Sequence, residues 1–331
     1  MASYETFGVD GVTSQSSCGF FKRILVFVSF HLLYLLIPLG LTILPFFLLS
    51  CHSVVLRTFG VLIPLAWACT FDGSHKKAGK PWEAVVNNPV INLILSWLPV
   101  CIRRTTKLNP NELYVFACHP HGALAFNRAA VGFSTYNLWN RAFPGVNFRV
   151  LTASAAFFVP FIREMWLWSY CVDASKKTAV YVLEKLRCSI FVYPGGEKEQ
   201  LETIRGRQIL YLRERKGFVK LAIQQGASLV PVYAFGESQL YNHFQFGIKQ
   251  RKWLAKTFGV AIPLISGQYG LQPYRNNVTL VFGAPIKTPH IENPSDEELN
   301  TMHALYIAHL EKLFEDHKES LGYGDAVLEI L

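Results

Sequence analysis

The sequence predicts an α/β layered domain with an N-terminal transmembrane helical hairpin. Three observations predict it. A long uncharged apolar block lies near the start, from Ile24 to Leu56. After it, short apolar runs alternate with amphipathic stretches, the pattern of layered strands and helices. Finally, 51% of the 331 residues are hydrophobic and only 17% are charged, against about 25% charged in an average soluble domain. Apolar material is left over once one core is filled.

The block Ile24–Leu56 holds no Asp, Glu, Lys or Arg over 33 residues. As one helix it would be roughly 50 Å long, against a hydrocarbon core of about 30 Å. A break is therefore expected, and Pro38-Leu39-Gly40 is placed for it. Apolar character resumes after Arg57 and runs to Phe71. Lys22 and Arg23 precede the block; Lys76, Lys77 and Lys80 follow it. Positive charge on both flanks predicts both flanks on the cytosolic side, and so a hairpin that enters and returns. The run is too long for a signal-peptide h-region, and no small-residue cleavage pattern follows. The expected divisions are 1–23, a polar disordered cytosolic segment; 24–71, the membrane hairpin; and 72–331, the folded domain.

Within that domain, Leu113–Cys118, Phe148–Leu151, Ser189–Tyr193, Leu229–Phe235 and Val278–Phe282 read as strands. Helices are expected over about Ser154–Trp168, over Lys176–Leu186 behind the N-cap Ser175, and over Gly217–Gln225 with Gly226 as its stop. The last helix opens on Ser295 with Glu298 three residues on, a capping box. Leu299, Met302, Tyr306, Leu310 and Leu313 then recur at helical spacing. Gly322 ends it.

Lys and Arg number 32 against 23 Asp and Glu, a net charge of +9. That excess suits an anionic ligand or lipid surface. No basic stripe with interleaved aromatics and no nucleic-acid module accompanies it, so nucleic acid is not an expected partner. The seven cysteines are scattered, with no C-x-x-C spacing, which argues against a zinc site or a disulfide framework. No metal is expected.

Three motifs follow predicted strands or open a predicted helix. His119-Pro120-His121-Gly122 comes directly after a strand, where α/β proteins place their sites. A histidine there can act as general base, taking the proton of a hydroxyl as it attacks a thioester. Tyr193-Pro194-Gly195-Gly196-Glu197-Lys198-Glu199 offers a glycine pair whose N–H groups can meet a phosphate or an oxyanion. Glu199 is a candidate to orient the histidine. Arg213-Glu214-Arg215-Lys216-Gly217-Phe218 opens a helix with basic residues beside a glycine, which suits the phosphates of coenzyme A. Cys118, beside His119, raises an acyl-cysteine route as a rival. No G-x-S-x-G elbow is present.

In this order the motifs resemble the type 2 diacylglycerol acyltransferase family, which also holds monoacylglycerol and wax-alcohol acyltransferases. The resemblance runs through His119-Pro120-His121-Gly122, Phe143-Pro144-Gly145, Gly195-Gly196 with Glu199, and Arg215-Lys216-Gly217-Phe218-Val219-Lys220. It continues through Leu229-Val230-Pro231-Val232, Phe235-Gly236-Glu237 and Gly283-Ala284-Pro285-Ile286, to His303, Tyr306 and His317-Lys318. Ala78-Gly79-Lys80 is similar to a Gly-Gly-Arg of the family.

The resemblance implies a glycerol-phosphate-acyltransferase-like domain that transfers an acyl group from acyl-CoA to diacylglycerol, making triacylglycerol. Monoacylglycerol and long-chain alcohols are the alternative acceptors, and a non-catalytic lipid-droplet lipid-binding protein the alternative class. It implies no cofactor beyond the co-substrate acyl-CoA. The expected setting is the endoplasmic reticulum membrane, both termini cytosolic, with association to lipid droplets; a homo-oligomer is compatible. Glycerol-phosphate acyltransferases pair a His with an Asp five residues on. Here that position is Leu124 from His119 and Phe126 from His121, so Glu199 and Glu237 become the candidate carboxylates. Plant members carry Glu for the first histidine, which favours His121 as base. Trp97-Leu98-Pro99 stands where animal and fungal members have Tyr-Phe-Pro. The sequon at Asn277 is expected to be silent on the cytosolic face.

Overall fold

The computed structural model describes residues 4–8, 19–132, 137–259 and 261–331. Twelve strands are found among them: β1 (Glu5–Phe7), β2 (Val100–Arg104), β3 (Tyr114–His119), β4 (Phe148–Thr152), β5 (Cys171–Asp173), β6 (Ser189–Val192), β7 (Gln208–Leu210), β8 (Ser228–Phe235), β9 (Asn242–His243), β10 (Ile265–Ser266), β11 (Val278–Phe282) and β12 (Leu328–Ile330). Eight form one mixed sheet in the order β1-β2-β11-β8-β3-β6-β4-β5. The block β8-β3-β6-β4-β5 is parallel throughout. β11 runs antiparallel to β8 and parallel to β2.

The centre of the sheet explains its sequence. All six residues of β3 are buried, as expected where helices cover both faces of a parallel sheet. Alternation sends Tyr114, Phe116 and Cys118 into one apolar cluster, with Trp97, Trp139 and Phe282. Val115 and Ala117 point the other way, toward Tyr306, Leu310 and Phe314 of the helix Asp296–Lys318. That helix starts at the expected capping box. The helix Gly217–Gln225 ends where Gly226 takes a left-handed φ of 60°.

The strands β1, β2, β5, β7, β9, β10 and β12 were not anticipated. The segment 1–23, expected to be disordered, supplies β1, which pairs antiparallel with β2. Its Glu5 pairs with Arg104, and Arg103 lies 4.0 Å over the Tyr4 ring. Residues 1–3 and 9–18 lie outside the described residues. The apolar stretch Ser154–Trp168 is not one helix. It divides into a 3-10 turn, Ser154–Phe158, and a helix, Ile162–Trp168. Pro160, which lacks an N–H, sits between them.

The apolar block also differs from expectation. Helix α1 (Phe20–His31), a π turn (Leu32–Leu36) and helix α2 (Ile37–Ser50) run on without a break. The Ile37 N–H reaches back five residues to the Leu32 carbonyl. This wide turn accommodates Pro38, so the chain does not break at Pro38-Leu39-Gly40. It reverses at Cys51–Ser53 and returns as α3 (Val54–Ala68). At Gly60 a β-carbon would stand 2.9 Å from the Pro45 carbonyl oxygen, so glycine lets α3 close on α2. Among the described residues no helix is long and apolar enough to cross a membrane, so the transmembrane hairpin expected from the sequence is not supported; the segment instead runs continuously through α1, the π turn and α2 and packs against α3. Its outer surface is nonetheless apolar: Phe21 is 85% and Val54 76% exposed. The inner face of α1, at Val26 and Phe30, is buried against the sheet domain.

Candidate active site

Strands β8, β3 and β6 are parallel neighbours, so their carboxyl ends share one edge of the sheet. The loops leaving them carry Glu237, His121 and Gly195-Gly196. Motifs more than 70 residues apart in the chain thereby meet.

The two histidines have different surroundings. His119, the last residue of β3, is fully buried on the side of the helix Asp296–Lys318. Its Nε2 lies 3.1 Å from the Tyr306 hydroxyl, which itself donates to the Ala117 carbonyl. The hydroxyl proton is thus committed, and the network assigns the Nε2–H tautomer. His119 is held inside the core. His121 instead lines a cavity of about 740 Å³. Its Nδ1–H donates to the Gly122 carbonyl at 2.9 Å, leaving the Nε2 lone pair uncommitted. Its ring meets Tyr193 edge-on at 5.3 Å. Burial holds its pKa below the usual imidazole value, and the nearby Arg128 cation acts in the same direction. His121 is therefore a neutral imidazole with one open nitrogen.

Neither candidate carboxylate touches the His121 ring. Glu199 is 1% exposed; its Oε2 accepts the His121 backbone N–H at 2.7 Å and its Oε1 the Tyr211 N–H at 3.1 Å. It orients the histidine through the main chain. Glu237 holds the other end of the same loop, accepting the N–H groups of Phe126 and Asn127 at 3.0 and 2.8 Å. Burial raises its pKa to about 8. The ring itself is oriented by a carbonyl, not by the carboxylate expected.

The glycines serve these contacts. A β-carbon at Gly195 would fall 1.9 Å from the Glu199 carboxyl carbon, and one at Gly122 2.6 Å from Glu237. The Gly196 N–H donates to the Tyr193 carbonyl. It is not the free donor that the glycine pair was expected to offer. Cys118 points away from the His119 side, toward Asn127 Oδ1 at 3.8 Å, and burial pushes its thiol pKa well up. It lacks the activated thiolate a nucleophile needs.

Gly196, Gly217 and Phe218 line the cavity, as does Glu197. Arg215 and Lys216 do not. Arg215 is exposed near Glu197, and Lys216 Nζ donates to Asn300 Oδ1 at 2.6 Å. The lysines on the cavity wall are Lys176 and Lys220. Lys220 stood in the quoted motif, one helical turn beyond Lys216, and helical periodicity was the available signal.

A family model described as diacylglycerol acyltransferase matches residues 51–330. The chain belongs to the diacylglycerol acyltransferase family. It is similar to 2-acylglycerol O-acyltransferase 1 of Mus musculus, 35% identical over 75% of this chain and 78% of the relative. It is also similar to diacylglycerol O-acyltransferase 2 of Dictyostelium discoideum, 32% identical over 82% and 87%. A solved structure, the 1-acyl-sn-glycerophosphate (LPA) acyltransferase PlsC from Thermotoga maritima, covers 89% of this chain and 97% of its own. Its TM-score is 0.42 and its identity 12%, a likeness too slight to bear on the reaction.

The protein is thus an acyltransferase, and in this diacylglycerol acyltransferase family member three further groups surround the histidine. Tyr193 donates its hydroxyl to Asn127 Oδ1 at 2.6 Å, and Asn127 Nδ2 donates to the Pro120 carbonyl. The pair clamps both sides of the His119-Pro120-His121 turn. Arg128 lines the cavity with its guanidinium 3.6 Å over the Trp166 ring. Nothing in the spacing of Asn127 and Arg128 marked them; only the closure of the loop brings them to the histidine.

Proposed function

We propose that this protein esterifies the free hydroxyl of diacylglycerol with an acyl group from acyl-CoA, with His121 as general base. The uncommitted Nε2 of His121, on the wall of the cavity, is the observation that carries this reading. Nε2 takes the hydroxyl proton as the oxygen attacks the thioester carbon. The C–O bond forms, the C–S bond breaks, and the proton passes to the departing thiolate. Acyl transfer written this way calls for no metal or prosthetic group. Proton removal by a placed base is worth about 10²–10⁴ in rate.

Lys176 and Lys220 offer charge for the phosphates of coenzyme A at the rim. The apolar outer surface of α1–α3 supports residence on the endoplasmic reticulum membrane and the lipid-droplet surface, with the sheet domain on the cytosolic side. A second apolar surface adds to it around the helix Ile248–Phe258, where Phe246, Trp253 and Phe258 are exposed among lysines and no acid occurs. The similarity to the 2-acylglycerol enzyme favours monoacylglycerol as the second acceptor to try.

The test is incubation of the full chain in membranes or detergent with labelled acyl-CoA and a panel of diacylglycerol, monoacylglycerol and long-chain alcohol. Transfer to diacylglycerol, lost in His121→Ala and kept in Cys118→Ala, is expected. A trapped labelled acyl-enzyme together with an inactive Cys118→Ala would replace direct transfer with a covalent route.

A further inference from the structure

We propose that Arg128 receives the negative charge of the reaction, donating N–H groups to the thioester carbonyl oxygen as it becomes an oxyanion. The proposal rests on the acyl-transfer reading above. Arg128 is only 8% exposed, yet among the described residues no carboxylate lies within ion-pairing distance of it. Its Nε has no hydrogen-bond partner, and Nη1 has only the sulfur of Cys171, at 3.8 Å. Removing a guanidinium from water without a counter-charge costs several kcal/mol. Such an arrangement is favourable when a ligand brings the charge.

The position suits that ligand. A second cavity of about 330 Å³, lined by apolar groups including Phe30, Ile162 and Leu271, adjoins the first. The two share Leu124, Ala125, Arg128 and Trp166, so Arg128 belongs to the wall common to both. An acyl chain seated in the smaller cavity, with the coenzyme arm in the larger, places its thioester between Arg128 and His121. The backbone alternative is weakened, since the Gly196 N–H is already donated. Trp166 holds the guanidinium plane by stacking and leaves its edge free to donate.

In the step, the acceptor oxygen bonds to the carbonyl carbon and gives its proton to His121 Nε2. The C=O π pair moves onto the oxygen facing Arg128. Collapse restores C=O and expels the coenzyme A thiolate, which takes the proton from His121. The charged and titratable groups facing His121 are Glu199 from the helix Gly196–Glu202, Tyr193 after β6, and Arg128. Arg128 opposes the imidazolium, so its removal raises the pH at which His121 loses its proton.

Arg128→Met and Arg128→Lys are compared with wild type and His121→Ala, as full chains in the same membranes or detergent. Arg128→Met is expected to lower kcat about 10²–10³-fold, the effect of losing an oxyanion donor. KM for acyl-CoA should change by less than about threefold, and the acid limb of kcat/KM should move to higher pH. Arg128→Lys keeps the charge and therefore the acid limb, but lacks the planar fork and loses kcat. If Arg128→Met does not accumulate folded, Arg128→Lys decides through its kcat-against-KM split. A kcat within about threefold of wild type, or a loss confined to KM, overturns the assignment. Wild type inactive toward every hydroxyl acceptor, or His121→Ala at full rate, overturns the acyl-transfer reading itself.

Discussion

The carboxylate of Glu199 and the main chain of His121 form one hydrogen-bonded unit, with Oε2 accepting the His121 N–H at 2.7 Å while Oε1 accepts from Tyr211. The same carboxylate stands 4.0 Å from His119 Nδ1. One buried acid thus holds the loop between the two histidines, and the ring of the second is left to a carbonyl. A substitution at either histidine should therefore read out differently.

His121→Ala is expected to lower turnover by about 10²–10⁴, the loss of a general base, at little cost in stability. His119→Ala leaves the Tyr306 hydroxyl and the space around it unfilled in the core. It should cost about 1–3 kcal/mol of stability and lose activity only as folded protein is lost. Thermal melting beside specific activity on the folded fraction separates the two.

Gly195→Ala should reproduce Glu199→Ala. The added methyl would overlap the Glu199 carboxyl group, at 1.9 Å. Either change frees the His121 and Tyr211 N–H groups in a buried place. Because both act on one unit, the double variant should be no worse than the more damaging single. A double-mutant cycle in stability checks this, and simple additivity would show that the two act separately.

Stability should fall as pH rises from about 4.5 toward about 8 through Glu237. Its pKa is raised from 4.5 to about 8 by burial, so in that window the folded state holds a proton that the unfolded state has released. By linkage the contribution is fully present below the unfolded value and is lost as pH rises through the folded one. Glu237→Gln cannot ionise, and its melting temperature should lack that slope. Melting curves at pH 5, 6.5 and 8 make the comparison.

Lys176→Glu and Lys220→Glu should each raise KM for acyl-CoA with kcat nearly unchanged. Exposed ion pairs are worth about 0.2–1 kcal/mol, so roughly a two- to fivefold effect per site, weakening with added salt, is expected. Arg215→Ala, at a residue off the cavity wall, should be close to wild type. Initial rates at two ionic strengths suffice.

Much of this protein is decided by its sequence alone. The buried parallel strands β3, β6 and β8 are nearly continuous apolar runs, legible because burial on both faces confines polar residues to the strand ends. The helix Asp296–Lys318 announces itself through a local capping box. His119, His121, Gly195, Glu199 and Glu237 all stood in motifs at strand ends, and all converge at one edge of the sheet. Short strands such as β1 and β5 were not legible, because three residues carry no periodicity and pairing partners far away define them. The helix through Pro38 was misjudged because a π turn just before the proline carries the helix through it.

The division of labour within the site was decided only by tertiary structure. Two histidines separated by one proline are equivalent in residue type and spacing, and only the family resemblance favoured the second. The pleat of β3 sends His119 toward Tyr306, 187 residues away, and the following turn delivers His121 to the cavity. In the same way the roles of Glu199 and Glu237 as holders of backbone N–H groups, and the place of Arg128 over Trp166, depend on distances between segments remote in the chain. Residue types determine which chemistry is available; which atom is left uncommitted depends on hydrogen bonds that exist only once the chain has folded.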